Sequence, residues 1–173
     1  RGLIGFWAVH QDASGQARAL ALAYLAAIGS GNVGIFPTTF REETVSDLFG
    51  EQVVLVGGMV ALAKASFTRL TAAGVSERMA YIDCVHELKY LADLIQARGI
   101  AGMYEAISDT AEFGAREIED AIAGPELLKV FDGAMEAIES GRFARKWVER
   151  YESGDRMQAE RARDRTLPIE AAG

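Results

Sequence analysis

Between residues 52 and 73 the chain is apolar nearly all the way round a helix, and no other feature narrows its fold as far. A helix at a protein surface keeps one polar side, so a helix without one belongs between other elements. The stretch therefore predicts a buried central helix in a mainly α protein. Gly57-Gly58 interrupts it at a cost of about 1–2 kcal/mol in helix propensity, and such a pair predicts close backbone approach. Ser76 is placed to cap a long helix that ends near Gly99. Gly124-Pro125 opens another, with proline in the favoured first position and Gly141 at its end. Helices over residues 142–151 and 155–163 finish the chain.

Ahead of Thr38 the pattern changes. Residues 3–10 form a short β-prone run, residues 16–28 an Ala- and Leu-rich helix, and residues 33–36 a second short strand before Pro37. A β-α-β unit of that size is too small to be a domain. It reads as the edge of a parallel sheet whose other strands are missing. The sequence thus predicts a sheet-edge remnant over residues 1–37 and a helical domain over residues 38–173. Gly29-Ser30-Gly31-Asn32-Val33-Gly34 matches the G-x-G-x-x-G pattern of dinucleotide sites. That pattern needs a strand before it and a helix after it, so that the pyrophosphate meets a helix N-terminus. Here the order is reversed, which makes the segment a helix end and a turn.

At 173 residues the chain is long enough for one good core. Its net charge of −7 comes with no Lys/Arg-rich stripe, which argues against nucleic acid as a partner. The arginines of residues 156–165 alternate with Glu160 and Asp164 and form a solvated helix. Cys84 stands alone, so there is no intrachain disulfide, and a reducing cytoplasm of bacterial type is the expected home. No apolar run is read as reaching the roughly 18 residues of a membrane span, no signal peptide is recognised, and no membrane partner is expected. The chain opens on Arg1, which predicts that it was cut from something longer.

Chemistry concentrates in two carboxylate pairs at i,i+4 spacing, Asp47/Glu51 and Asp83/Glu87. Like charges one helical turn apart repel by a few tenths of a kcal/mol unless a cation lies between them. Both pairs lie on apolar faces: Glu51 leads on to Val54 and Leu55, and the second face runs through Met79, Ala80, Tyr90, Leu91 and Leu94. A carboxylate in such a setting must be paired, protonated or metal-bound. Four oxygen donors with no His or Cys cluster suit a hard divalent cation, Mg²⁺ before Zn²⁺. Solvated helices carry such pairs too, so the spacing alone leaves both readings open. His10, His86 and Cys84 read as packed residues outside any metal shell, His86 because it points about 100° from Glu87 on a helix. Ser108 reads as a helix cap.

Several long strings resemble one family. Glu42-Glu43-Thr44-Val45-Ser46-Asp47-Leu48-Phe49-Gly50-Glu51-Gln52 resembles the ETxxDLFGEQ signature of ketol-acid reductoisomerase (acetohydroxyacid isomeroreductase). Ala80-Tyr81-Ile82-Asp83-Cys84-Val85-His86-Glu87-Leu88-Lys89 is similar to its AYFECxHELK helix, and residues 107–112 with Gly114 to its ISDTAExG segment. Ala8-Val9-His10-Gln11-Asp12-Ala13-Ser14-Gly15 resembles the end of its cofactor domain, and Pro168-Ile169-Glu170 its tail. The resemblance runs in order over essentially the whole chain. It implies an all-helical knotted domain, an exception to the usual topology rule, working as an intertwined homodimer with two Mg²⁺ ions at the interface. It implies that Asp47 bridges both ions and that Glu51 holds one and helps move protons. Asp83 and Glu87, contributed by the partner subunit, would bind the other. Ser108 would hydrogen-bond the substrate, flanked by Ile107 and Ala111. The implied reaction takes a small 2-aceto-2-hydroxyacid through Mg²⁺-assisted alkyl migration and NADPH reduction to a 2,3-dihydroxyacid, in branched-chain amino-acid biosynthesis.

Three departures accompany the resemblance. The chain shows no glycine fingerprint and none of the basic residues expected around NADPH phosphates, so the cofactor is expected to require the missing N-terminal domain. Asp83 stands where the family has Glu; being one methylene shorter, it would draw the ligand back by about 1.5 Å from an ion that demands near-ideal octahedral distances. Val56 stands where Cys is usual. These leave two further readings beside a reductoisomerase domain: a paralogue doing a non-redox metal-dependent step, and a non-catalytic dimeric helical module.

Overall fold

A computed structural model describes residues 2–173 as two compact units, one ending at Gly50 and one running from Glu51 to Gly173. The fold is mainly α, as expected.

In the first unit, β1 (Gly5–Trp7) and β2 (Ile35–Pro37) pair in parallel, with Gly5 opposite Ile35 and Trp7 opposite Pro37. Parallel strands need a crossover, and α1 (Ala17–Ala27) supplies it. Asp12 starts that helix by accepting from the N–H groups of Gln16 and Ala17, each at 3.1 Å. Gly5 is buried under it: a Cβ there would stand 2.9 Å from both Leu25 and Ser30. The glycine-rich segment is a helix end and a short 3-10 turn, Ser30–Asn32, entered through Gly29 at φ 97°. The dinucleotide pattern is therefore a turn, as its reversed order predicts. The unit ends with α2 (Phe40–Gly50), whose first turn is capped by Thr39 Oγ accepting from Glu42 N–H at 3.0 Å.

The second unit opens with a π turn, Glu51–Leu55, followed by α3 (Gly57–Ala72). Ser76 caps α4 (Glu77–Tyr81), a second π turn covers Ile82–His86, and α5 (Leu88–Tyr104) follows. Gly99 breaks the helical geometry inside α5 at φ 72°, ψ 176°, but the helix resumes to Tyr104, beyond the end that the sequence suggests. Next come α6 (Asp109–Ile122), α7 (Pro125–Glu139), α8 (Arg142–Glu152), α9 (Gln158–Asp164) and α10 (Pro168–Ala171). Gly124-Pro125 opens α7 and Gly141, at φ 71°, follows its end, as expected.

The core of this unit is small. Phe67 of α3, Ala80 of α4 and Ile169 of α10 are buried together, with Leu70, Val75, Tyr81, Val85, Leu167 and Ala172 packed around them. Lys64 donates to Asp164 Oδ1 at 2.9 Å, which ties α3 to the end of α9.

Two expectations are corrected here. The apolar stretch at 52–73 is not buried within this chain: Phe67 is buried, whereas Met59, Val60 and Leu62 are 45 %, 39 % and 56 % exposed. The physical reason is that no element among the described residues covers the rest of α3. The membrane-length expectation also changes. The helical stretch Phe40–Ala72 is long and apolar enough to cross a membrane by length and composition, because its charges sit toward its ends and leave an apolar middle. Lys64, tied to Asp164, interrupts that middle.

Candidate metal centre

Each carboxylate pair meets a π turn. Asp47 is exposed near the end of α2, and Glu51, half-buried, is the first residue of the first π turn. Asp83 is the second residue of the other π turn, and Glu87 follows its last residue; both are exposed. The turns are defined by i→i−5 hydrogen bonds: Val56 N–H donates to Glu51 O at 3.0 Å, and Glu87 N–H donates to Ile82 O at 3.1 Å. Inserting one residue into a helical turn changes the direction in which side chains project, and such bulges concentrate at functional sites.

Several carboxylates of the chain are neutralised by its own cations, and these four are not. Glu112, Glu126, Glu136, Asp155, Glu160 and Asp164 each face a Lys or Arg of this chain. Lys89, beside Glu87 in sequence, is turned to Asp93 instead. The side-chain carboxylates of Asp47, Glu51, Asp83 and Glu87 make no hydrogen bond or ion pair among the described residues. Their neighbours are apolar and open to solvent: Val54, Leu55, Met79 and Tyr90 are all exposed. Asp83 lines an open cleft of about 220 Å³ with Met59, Leu62, Cys84 and Leu88. Burial pushes the Cys84 thiol up in pKa, and the Asp83 carboxylate beside it adds to the effect. A thiol held protonated is a poor metal ligand, so Cys84 stays outside the shell, as its sequence context suggests.

The donor set fits Mg²⁺ in kind: hard oxygens, unneutralised, with no nitrogen or thiolate competing. Among the described residues, however, no three His, Cys, Asp or Glu side chains converge closely enough within one chain to hold an ion.

Ser108 caps α6, its Oγ accepting from Ala111 N–H at 3.2 Å. The cap uses a lone pair and leaves the hydroxyl proton for another acceptor. Ile107 is half-buried and Ala111 exposed on either side of it. His86 packs edge-on against Tyr90, with centroids 5.9 Å apart. His10 is exposed. Sequence reasoning passes over Gln52, whose Nε2 is buried with no acceptor among the described residues. The available signal is an amide following Glu51 on an otherwise apolar stretch.

Comparison with known proteins bears on the family. The family described as ketol-acid reductoisomerase, C-terminal domain, matches residues 40–173. A ketol-acid reductoisomerase (NADP(+)) from Saccharolobus solfataricus is 44% identical over 153 residues, which is 88% of this chain and 46% of that protein. The solved structure of an NADH-preferring ketol-acid reductoisomerase from an uncultured archean superposes with a TM-score of 0.92 at 41% identity, covering 97% of this chain and 51% of that one. The chain thus spans about half the length of these relatives. The match runs across the carboxylate pairs, both π turns and the capped start of α6, and the chain belongs to the ketol-acid reductoisomerase family.

Proposed function

We propose that this chain supplies the Mg²⁺- and substrate-binding half of a ketol-acid reductoisomerase, acting on a small 2-aceto-2-hydroxyacid in branched-chain amino-acid biosynthesis. The observation that carries the reading is that both i,i+4 carboxylate pairs, Asp47/Glu51 and Asp83/Glu87, meet a π turn and are left without a cation of this chain. Asp47 and Glu51 of one subunit, with Asp83 and Glu87 of a second copy, complete a site for two ions. This accounts for the absence of a complete ligand set among the described residues of one chain. Bound Mg²⁺ supplies Lewis-acid polarisation of the substrate's carbonyl and hydroxyl oxygens and holds them in register. Glu51, half-buried, takes and returns the proton of the substrate hydroxyl on its carboxylate. Ser108 donates its free hydroxyl proton to a substrate oxygen, and Ile107 and Ala111 shape the apolar wall beside it. Asp83, which stands where the family has Glu, would help hold one of the ions.

Residues 1–37 are the edge of the sheet that holds NADPH, so reduction belongs to the complete enzyme. The exposed apolar surface of α3 is covered by the partner subunit in an intertwined homodimer, within a reducing cytoplasm.

Mg²⁺ titration by calorimetry, with thermal unfolding in parallel, tests the metal half of this reading. The parent chain should bind Mg²⁺ and gain stability from it, and Glu51→Gln and Asp83→Ala should each lose that gain. A dimeric chain that Mg²⁺ neither binds nor stabilises would overturn it. NADPH oxidation with 2-acetolactate by the intact enzyme tests the substrate.

A further inference from the structure

The glycines after Glu51 stand where any side chain would collide with backbone. A Cβ on Gly57 would lie 2.0 Å from Gln52 O, and one on Gly58 would lie 2.1 Å from Val53 O. Gly114 and Gly133, also inside helices, have nothing within 4 Å of the same position. A π turn as such does not require this. The second one is followed by Leu88 and Lys89, and it leaves through Glu87 at an ordinary helical φ −75°, ψ −18°. The first leaves through Val56 at φ −115°, ψ −65°, which drives the carbonyls of Gln52 and Val53 under the start of α3. The close approach that the glycine pair predicts is thus made to the chain's own preceding turn.

We propose that Gly57 and Gly58 are positioning residues: their bare Cα atoms admit the Gln52 and Val53 carbonyls, keep the turn at Glu51–Leu55 in its π form, and so set the direction in which Glu51 projects from the start of α3. With alanine at either position the turn relaxes. Val56 N–H then takes the Gln52 carbonyl in place of Glu51 O, and the Glu51 carboxylate swings away by a fraction of a turn. The proposal rests on the reading of Glu51 as a metal ligand for its consequence, but not for its geometry.

Two readouts separate these. Calorimetric Mg²⁺ binding is measured on the parent chain, Gly57→Ala, Gly58→Ala, Glu51→Gln and Gly133→Ala, with helicity and oligomeric state checked for each. The expected result is a loss of about 10–100-fold in Mg²⁺ affinity for Gly57→Ala and Gly58→Ala, with Gly133→Ala unchanged and all chains folded. Parental affinity in both glycine variants, alongside a loss in Glu51→Gln, would overturn the proposal. So would failure of both variants to fold, because that would make the glycines structural and not positioning. The second readout is a crystal structure of Gly58→Ala or Gly57→Ala without metal. A Val56 N–H still bonded to Glu51 O would overturn the proposal, and a shift to Gln52 O would support it. If the parent binds no Mg²⁺, the metal reading fails by itself, and the glycine proposal is still decided by that hydrogen bond.

Discussion

At Ser108 one hydroxyl carries two uses that substitution can separate. Its lone pair caps α6 through Ala111 N–H, and its proton is the part assigned to substrate. Ser108→Ala removes both and should lower stability by about 1 kcal/mol, as cap loss does elsewhere. Ser108→Asp keeps an acceptor at the cap but brings no donor. It should unfold near the parent's denaturant midpoint while the intact enzyme loses turnover as the alanine variant does. Parental turnover in the aspartate variant would remove Ser108 from the substrate site. Asp164 offers a pH test. Its hydrogen bond from Lys64 holds the carboxyl below its ordinary value of 3.8, against the smaller opposing effect of burial. A carboxylate whose folded pKa is depressed contributes stability above the unfolded value and loses it as pH falls through the folded one. The contribution is therefore complete above about pH 4 and disappears below it. Asp164→Asn should flatten that part of the acid slope, read from urea midpoints across the acid range.

Among elements, α10 has the largest effect for its size. Its four residues place Ile169, 8 % exposed, against Phe67 and Ala80. Ile169→Ala should cost about 2–4 kcal/mol through lost burial and the cavity left behind, seen as a fall in the denaturant midpoint. Nothing in the sequence pattern marks α10 as core, because four residues cannot show a period. The longer elements were legible for the opposite reason. Gly and Pro punctuate α1, β2 and α7 clearly, and Ser76 and Ser108 sit at N-caps that their side chains make. The two π turns were invisible, since a one-residue change of hydrogen-bond register needs no particular residue type at Ile82–His86. At Glu51–Leu55 the glycine pair did carry a trace of it. The four carboxylates were legible from spacing, but that the two pairs do not converge within the described residues was not, because helical period describes one helix at a time.

For the whole molecule, exposed apolar surface is the decisive feature. Leu55, Val56 and Leu62 near the start of α3 and Tyr90, Ile95 and Ile100 along α5 all stand open to solvent. That explains why residues 52–73 read as buried in sequence and stand open here: the sequence encodes burial without saying whose side chains provide it. Sedimentation should find a dimer at micromolar concentration. The thermal midpoint should rise with protein concentration, as it does when folding and association are linked. A monomer whose midpoint is independent of concentration would count against the intertwined assembly.

The contact between Ile169 and Phe67 also dictates an order of events during synthesis. Lys64 and Asp164, which flank that contact, are 100 residues apart in the chain. At about 5–20 residues per second, the nascent polypeptide spends seconds with Phe67 and Ala80 already made and Ile169 not yet released. For that interval the nucleus of the second unit has an open side facing the cell. Chains that stall or are cleaved before residue 167 should be the ones chaperones retain, since they carry the apolar surface and lack the segment that closes it.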